Sequence, residues 1–354
     1  MLQAAYKKHT LSFKHPGGTS RGIITQKDSW FLFIYSTDNP SVRGIGECSI
    51  IKGLSIDDRS DFDEMMNHIC ININNWQYLL EEGLMEFPSI RFGLETAIKD
   101  FAEGGSRLLF KSDFTSGIDS IPINGLIWMG DYSEMKNRII EKIESGYRCI
   151  KLKIGAINFE DEIKLLKQIR ADFTSEEVEL RLDANGAFNP KNVREKLQVL
   201  SDYDIHSIEQ PIKAGQWLAM AEICDNPYIP IALDEELIGI DNNVGLSKML
   251  DELNPQYIII KPSLIGGLSR SSAFIREADN RNIRWWVTSA LEGNIGLNAI
   301  AQWTYTLDNS LPQGLGTGQL FKNNIDSPLI IENATLKYDN TRNWNLNLIT
   351  NDLS

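Results

Sequence analysis

From Ser120 onward the sequence repeats one rhythm, a short apolar run followed by an amphipathic stretch, and few folds accommodate it. The runs are Ile121 to Trp128, Cys149 to Ile154, Val178 to Asp183, His206 to Glu209, Ile229 to Asp234, Tyr257 to Lys261, Arg284 to Thr288 and Gly314 to Gly316. Helical spacing separates them, as in Ser133 to Glu144, stopped by Gly146, and Pro190 to Leu200. Short continuous apolar runs mark strands covered on both faces, and eight of them alternating with helices predict an α/β fold closed into a parallel barrel. An open doubly wound sheet is disfavoured because no Gly-x-Gly-x-x-Gly follows an early strand.

The first third reads differently. Strands are expected near Ala4 to Phe13, through Trp30 to Tyr35 and through Val42 to Ile50, the last two joined at Asp38-Asn39-Pro40 in an antiparallel meander. His15 to Arg21, with two glycines and a proline, reads as a mobile polar loop. It is either a plain connector or a lid whose Arg21 meets an anionic ligand. From Pro88 to Phe101, Ile90, Leu94, Ala97 and Phe101 recur at helical spacing, so this part is an α+β unit. Past Phe321, Leu329 to Ile331 and Trp344 to Leu348 are expected to be short strands returning to it.

The chemistry lies at the strand ends. Lys151 and Lys153 project to one face of their strand, because side chains alternate with period 2. Taken alone, such a pair is more often a solvated face than a site. But successive barrel strands end in Lys153, Asp183, Glu209, Asp234 and Lys261, at separations of 30, 26, 25 and 27 residues. Each interval is about one strand-helix repeat, which puts all five on the C-terminal rim, where barrel active sites sit. Each acid alone would be read as a helix cap or turn former. Three carboxylates close together require a cation, and hard oxygen donors suit Mg2+, with Mn2+ as a possible substitute. Lys153 and Lys261 then face each other across the metal as acid and base. A lysine base needs a lowered pKa, and Lys151, a divalent cation and the apolar runs beneath all push that way. Arg181 shares the strand face of Asp183 and could support an anionic group.

Composition sets the partners. A net charge of −13 and a pI near 4.9 argue against nucleic acid or an anionic membrane, so any small anionic substrate must be held by a local positive cluster. The four cysteines are scattered, with no metal-type spacing, and no uncharged run could span a membrane. The expectation is a cytoplasmic enzyme with reduced thiols.

The ordered set Lys151-Leu152-Lys153, Asp183-Ala184-Asn185, Glu209-Gln210-Pro211, Asp234-Glu235 and Lys261-Pro262-Ser263 resembles the pattern of the enolase superfamily, in particular its muconate-lactonizing subgroup. The resemblance implies a modified TIM barrel, (β/α)7β, over 119–320. An α+β capping domain over 1–118 would be joined by the return of 321–354. It also implies proton abstraction α to a carboxylate, with Mg2+ on Asp183, Glu209 and Asp234. All four histidines precede residue 207, so a His base after the later strands is excluded. His206, at the start of its strand, is expected to be structural.

Dipeptide epimerases carry Asp-x-Asp on the eighth strand, whereas this chain has no acid between Leu311 and Ile325. The stretches Thr288 to Leu297 and Gln313 to Leu320 are instead similar to the o-succinylbenzoate synthase family, although Gly293 stands where that pattern has Ser. This likeness implies Mg2+-dependent syn dehydration of 2-succinyl-6-hydroxy-2,4-cyclohexadiene-1-carboxylate to 2-succinylbenzoate, a lyase step of menaquinone biosynthesis. In it Lys153 acts as base and then acid, Lys261 stays protonated, and Lys151 tunes its neighbour. Substrate contacts would come from Arg21, Arg181, Asn185, Ser263, Ser289, Asn294, Gly316 and Thr317. N-succinylamino acid racemase and muconate cycloisomerase activities on the same scaffold remain alternatives, as does a metal-binding barrel without catalysis. Monomer and homo-oligomer both remain open.

Overall fold

The computed structural model describes residues 1–19, 22–155 and 158–350. Its first unit is an antiparallel sheet of β1 (Leu2–Thr19), β2 (Gly22–Ser36) and β3 (Asn39–Ser49), in that order. The run Trp30-Phe31-Leu32-Phe33-Ile34 is apolar at every position because both faces are covered. Trp30, Leu32 and Ile34 pack against α1 (Phe62–Ile71) and α2 (Pro88–Ala102). Phe31 and Phe33 face the other way, onto Ile45, Ile295, Ile325 and Ile349. α2 lies almost on the backbone of β3: a side chain at Gly46 would stand 1.9 Å from the Gly93 carbonyl oxygen, so only glycine fits there.

His15 to Thr19 do not form the expected loop. β1 continues through them to Thr19, with a register shift against β2 between Ser12 and Gly17 that bulges the arm. Arg21 lies outside the described residues.

The second unit begins with β4 (Ile121–Pro122) and β5 (Gly125–Ile127), then alternates α3 (Tyr132–Glu144), β6 (Cys149–Lys153), α4 (Phe159–Asp172), β7 (Glu179–Asp183), α5 (Val193–Ser201), β8 (Ile205–Glu209), α6 (Trp217–Asp225) and β9 (Ile231–Leu233). It continues through α7 (Asn243–Leu253), β10 (Tyr257–Ile260), α8 (Leu268–Asp279), β11 (Arg284–Val287) and α9 (Asn294–Tyr305). β5 to β11 form one seven-stranded sheet in sequence order, and every pairing is parallel. The eighth strand, expected at Gly314 to Gly316, is reduced to two parallel bridges, Ile123 to Gln313 and Thr288 to Gly314, which close the barrel. The Lys153, Asp183 and Glu209 ends stand in one row because their register is direct: Lys153 pairs Asp183, and Asp183 pairs Glu209.

Local signals start and stop the helices. Asp131 accepts the Glu134 amide at 2.9 Å to begin α3, which ends at Gly146 with φ +93. Asn242 accepts the Gly245 amide at 2.8 Å to begin α7, which ends at left-handed Asn254.

After the barrel, β12 (Leu329–Glu332) and β13 (Thr335–Tyr338) pair antiparallel, and β13 adds to β4. Trp344 to Leu348 do not form the expected strand. Asn345 makes a single bridge to Asp326, and α10 (Asn347–Thr350) follows, its Ile349 seated on Phe31 and Phe33. Among the described residues no helix is long and apolar enough to cross a membrane.

Candidate active site

Three lysines and three acids meet at the strand ends. Lys151 Nζ lies 2.5 Å from Glu209 Oε2 and 2.8 Å from Asp183 Oδ2. Lys153 Nζ reaches the same Asp183 oxygen at 2.8 Å and donates to Asn185 Oδ1 at 2.5 Å. Lys261 Nζ pairs with Asp234 Oδ2 and stands 3.8 Å from Glu209 Oε1. The acids are buried beneath, while all three ammonium groups line a cavity of about 550 Å3. Three positive and three negative charges make the cluster neutral, which is what allows six ionisable groups to share a buried site.

The buried acids set the electrostatics of two of the lysines. Burial alone would lower Lys151 and Lys261. The attraction of Asp183 and Glu209 for Lys151, and of Asp234 and Glu209 for Lys261, outweighs burial and raises both. Burial would likewise raise Asp183, but Lys151, Lys153 and Lys261 hold it well below the usual carboxylate range. Glu209 is pushed up to about 7 by burial and by Asp183. Burial raises Asp234 as well, against the pull of Lys261.

Backbone geometry serves the same rim. Gln210 takes a left-handed conformation, φ +42, directly after Glu209. Its Oε1 accepts the Asp234 amide at 3.2 Å and its Nε2 donates to the Ile212 carbonyl at 3.0 Å, which ties the ends of β8 and β9 together. Asn185, also left-handed, accepts from Lys153 and donates to Glu235 at 3.1 Å.

Among the described residues, no group of three acidic, His or Cys side chains is already gathered around one metal position. The donor set nevertheless fits a hard divalent cation. Asp183, Glu209 and Asp234 are buried carboxylates on consecutive strands. Glu209 Oε1 has no hydrogen-bond donor, and Asp183 Oδ2 meets its two ammonium groups as ion pairs without a hydrogen bond.

Asn185, Ser289, Gly316 and Thr317 also line the cavity. Three expected contacts do not. Arg181 points to the barrel floor: its Nε donates to Glu179 at 2.7 Å, its Nη1 to the Pro312 carbonyl at 2.9 Å, and its guanidinium stacks 4.2 Å from the Trp286 ring centre. Ser263 is fully buried and donates to Glu292. Asn294 donates to the Ile325 carbonyl at 2.6 Å and so anchors the start of α9. His206 belongs to the floor, against Tyr257 and Trp286. The β1 bulge brings Lys14, His15 and Pro16 to the cavity mouth, and Ile51 and Leu54 form its capping side. The sequence reading missed Lys27, Ser29, Glu47 and Ser49. Their signal is polar residues at every second position of strands that continue as Phe31, Phe33 and Ile45 on the same face.

Comparison with known proteins places the chain in a family. A family model described as Enolase C-terminal domain-like matches residues 134–341. The chain is 43% identical to the o-succinylbenzoate synthase of Desulfotalea psychrophila, over 95% of this chain and 98% of that protein. It superimposes on the crystal structure of MenC from Desulfotalea psychrophila with a TM-score of 0.85 and 40% identity, covering 95% of this chain and 99% of that one. An L-Ala-D/L-Glu epimerase of Bacillus subtilis shares the fold, with a TM-score of 0.81 at 19% identity and 95% coverage of both chains. The similarity runs through barrel and cap over nearly the whole chain: the protein belongs to the enolase superfamily, in its o-succinylbenzoate synthase family.

Proposed function

We propose that this protein is a lyase that dehydrates 2-succinyl-6-hydroxy-2,4-cyclohexadiene-1-carboxylate to 2-succinylbenzoate, releasing water, as a step of menaquinone biosynthesis. The observation that carries the reading is the neutral six-group cluster at the cavity base, in a chain 43% identical to an o-succinylbenzoate synthase. Superfamily members depend on a divalent metal, and here Asp183, Glu209 and Asp234 would hold Mg2+. Bound there, Mg2+ would supply Lewis-acid charge to offset the negative charge that develops when the proton α to the substrate carboxylate is lost.

The chain's own residues divide the proton work. Lys151 is pinned between Asp183 and Glu209, Lys261 pairs with Asp234, and Lys153, paired with Asp183 and Asn185, is assigned the proton transfer of the dehydration. Lys153 Nζ takes the proton from the carbon next to the carboxylate. It then returns a proton to the departing hydroxyl on the same face, so that water leaves and the ring becomes aromatic. Lys261 stays protonated and stabilises the developing negative charge from the other side. Asn185 Oδ1 fixes Lys153 Nζ at 2.5 Å, and Leu126, Trp128 and Leu320 exclude water from the ring.

One observation favours a second activity. Lys153 and Lys261 both face the cavity, each backed by its own carboxylate, an arrangement that also suits racemisation of N-succinylamino acids. The test follows loss of cyclohexadiene absorbance with Mg2+, without it and with chelator, beside polarimetry on N-succinylamino acids. Metal-dependent loss of the diene is expected; turnover of the racemase substrate alone would overturn the dehydratase reading.

A further inference from the structure

Helix α9 begins without a capping side chain of its own. Its N-cap residue is Gly293, and the amides of Gly293 and Gly296, the N-cap and the third helical position, are the donors that a capping box satisfies. Both are taken by Glu47 from β3 of the cap. Its Oε1 accepts from Gly293 at 2.7 Å and its Oε2 from Gly296 at 2.9 Å, with Glu47 fully buried. Ser29 also donates to Oε1, at 2.8 Å. On the facing side of the same turn, buried Lys27 donates to the Ala290 and Leu291 carbonyls, both at 3.0 Å, and to Ser49. The cap thus sets a carboxylate against the amides of the turn and an ammonium against its carbonyls.

The turn is wired onward to the site. Glu292 is fully buried, accepts from Ser263 and accepts from Ser289 at 2.5 Å; Ser289 in turn accepts from Thr317 at 2.7 Å. Ser263 stands two residues after Lys261, while Ser289 and Thr317 line the cavity. Neither Glu47 nor Lys27 reaches the cavity.

We propose that Glu47 is a helix cap supplied to α9 by the capping domain and that, with Lys27, it positions the turn that carries Ser289 and Glu292. The absence of a side chain at 293 follows from it. A Cβ there would lie 3.1 Å from both Glu47 carboxylate oxygens and 3.2 Å from Asn324 Oδ1, although φ −67 and ψ 179 are open to any residue. Glu47 therefore crowds the place where an N-cap serine would stand, and its carboxylate would have to give by a few tenths of an ångström to admit one.

This crowding gives a rescue experiment on the full-length, Mg2+-loaded enzyme with the cyclohexadiene substrate. Glu47→Ala is expected to lower kcat/KM about tenfold, mostly in kcat, the scale of one lost cap, with half-saturating Mg2+ unchanged. Gly293→Ser alone is expected to lower it as well, because the added Cβ displaces the carboxylate. The double variant is expected to return to within about twofold of the parent, since the new hydroxyl can accept the Gly296 amide. Melting temperature should follow the same order, which keeps the test readable if the substrate assignment fails. If Glu47→Ala alone is insoluble, a soluble and active double variant is the same result. The proposal is overturned by a double variant no better than its poorer parent, or by Glu47→Ala lowering only the melting temperature.

Discussion

The carboxyl of Asp57 lends itself to a quantitative test. It is fully buried, its Oδ2 accepting the Ser89 amide at 2.8 Å and the Ser89 hydroxyl at 2.5 Å, while its Oδ1 has no hydrogen-bond partner. It holds the first turn of α2 and the end of the segment that brings Ile51 and Leu54 to the cavity. Burial pushes its pKa up to about 6, against an ordinary 3.8 and against the opposing hydrogen bonds from Ser89. Because the folded value is raised, the folded state binds the extra proton. This contribution is fully present below about pH 4 and is lost as pH climbs through 6. The ionised form costs about 3 kcal/mol at pH 8, roughly half of which accumulates between pH 5 and pH 8. Asp57→Asn keeps an acceptor for Ser89 and removes the titration. Urea denaturation of both proteins across that range should show the variant gaining about 1.5 kcal/mol on the parent as pH rises. A difference that stays flat with pH, or that shrinks, refutes the reasoning.

Lys153→Ala should lower turnover by about 10²- to 10⁴-fold while calorimetry still detects Mg2+ binding; wild-type turnover would remove Lys153 from the mechanism. His206 is lowered to about 4, chiefly by burial and also by Arg181 and Arg284, against the pull of Glu179. Its contribution to stability is therefore present above about pH 6.5 and lost as pH falls through 4. His206→Gln should spare about 3 kcal/mol of that acid loss, read as the difference in denaturation free energy between pH 7 and pH 4. Gly46→Ala should cost at least about 3 kcal/mol, measured as a lowered melting temperature, because its methyl meets the Gly93 carbonyl backbone.

What the sequence disclosed has a physical pattern. Lys153, Asp183, Glu209 and Lys261 were legible because a parallel barrel sends every strand end to one rim, so regular spacing alone brings them together. Arg181 was misplaced because strand alternation says that a side chain enters the barrel, without saying whether it tips up or down. Glu179, the Pro312 carbonyl and the Trp286 ring draw it to the floor. Ser263 and Asn294 lie next to the right residues in sequence, yet each satisfies a buried partner instead of facing the cavity. Lys27 and Glu47 showed only as polar positions in an otherwise apolar strand face; their role was hidden because their partners are 263 and 246 residues away. The β1 bulge escaped for a related reason: Pro and two glycines suggest a loop, but pairing with β2 overrides them.

The seat of Ile349 on Phe31 and Phe33 bears on how the molecule is made. One face of the first sheet to be synthesised stays uncovered until Ile295, Ile325 and finally Ile349 have been added. The sheet therefore spends the synthesis of some three hundred residues with two phenylalanines bared to solvent or to chaperones. Closing so long a loop adds little to the entropy cost, since that cost grows only with the logarithm of its length, but it delays the reward. Assembly on the ribosome should thus leave this half-finished face as the most aggregation-prone stage. Slowing translation late in the message should lower soluble yield more than slowing it early.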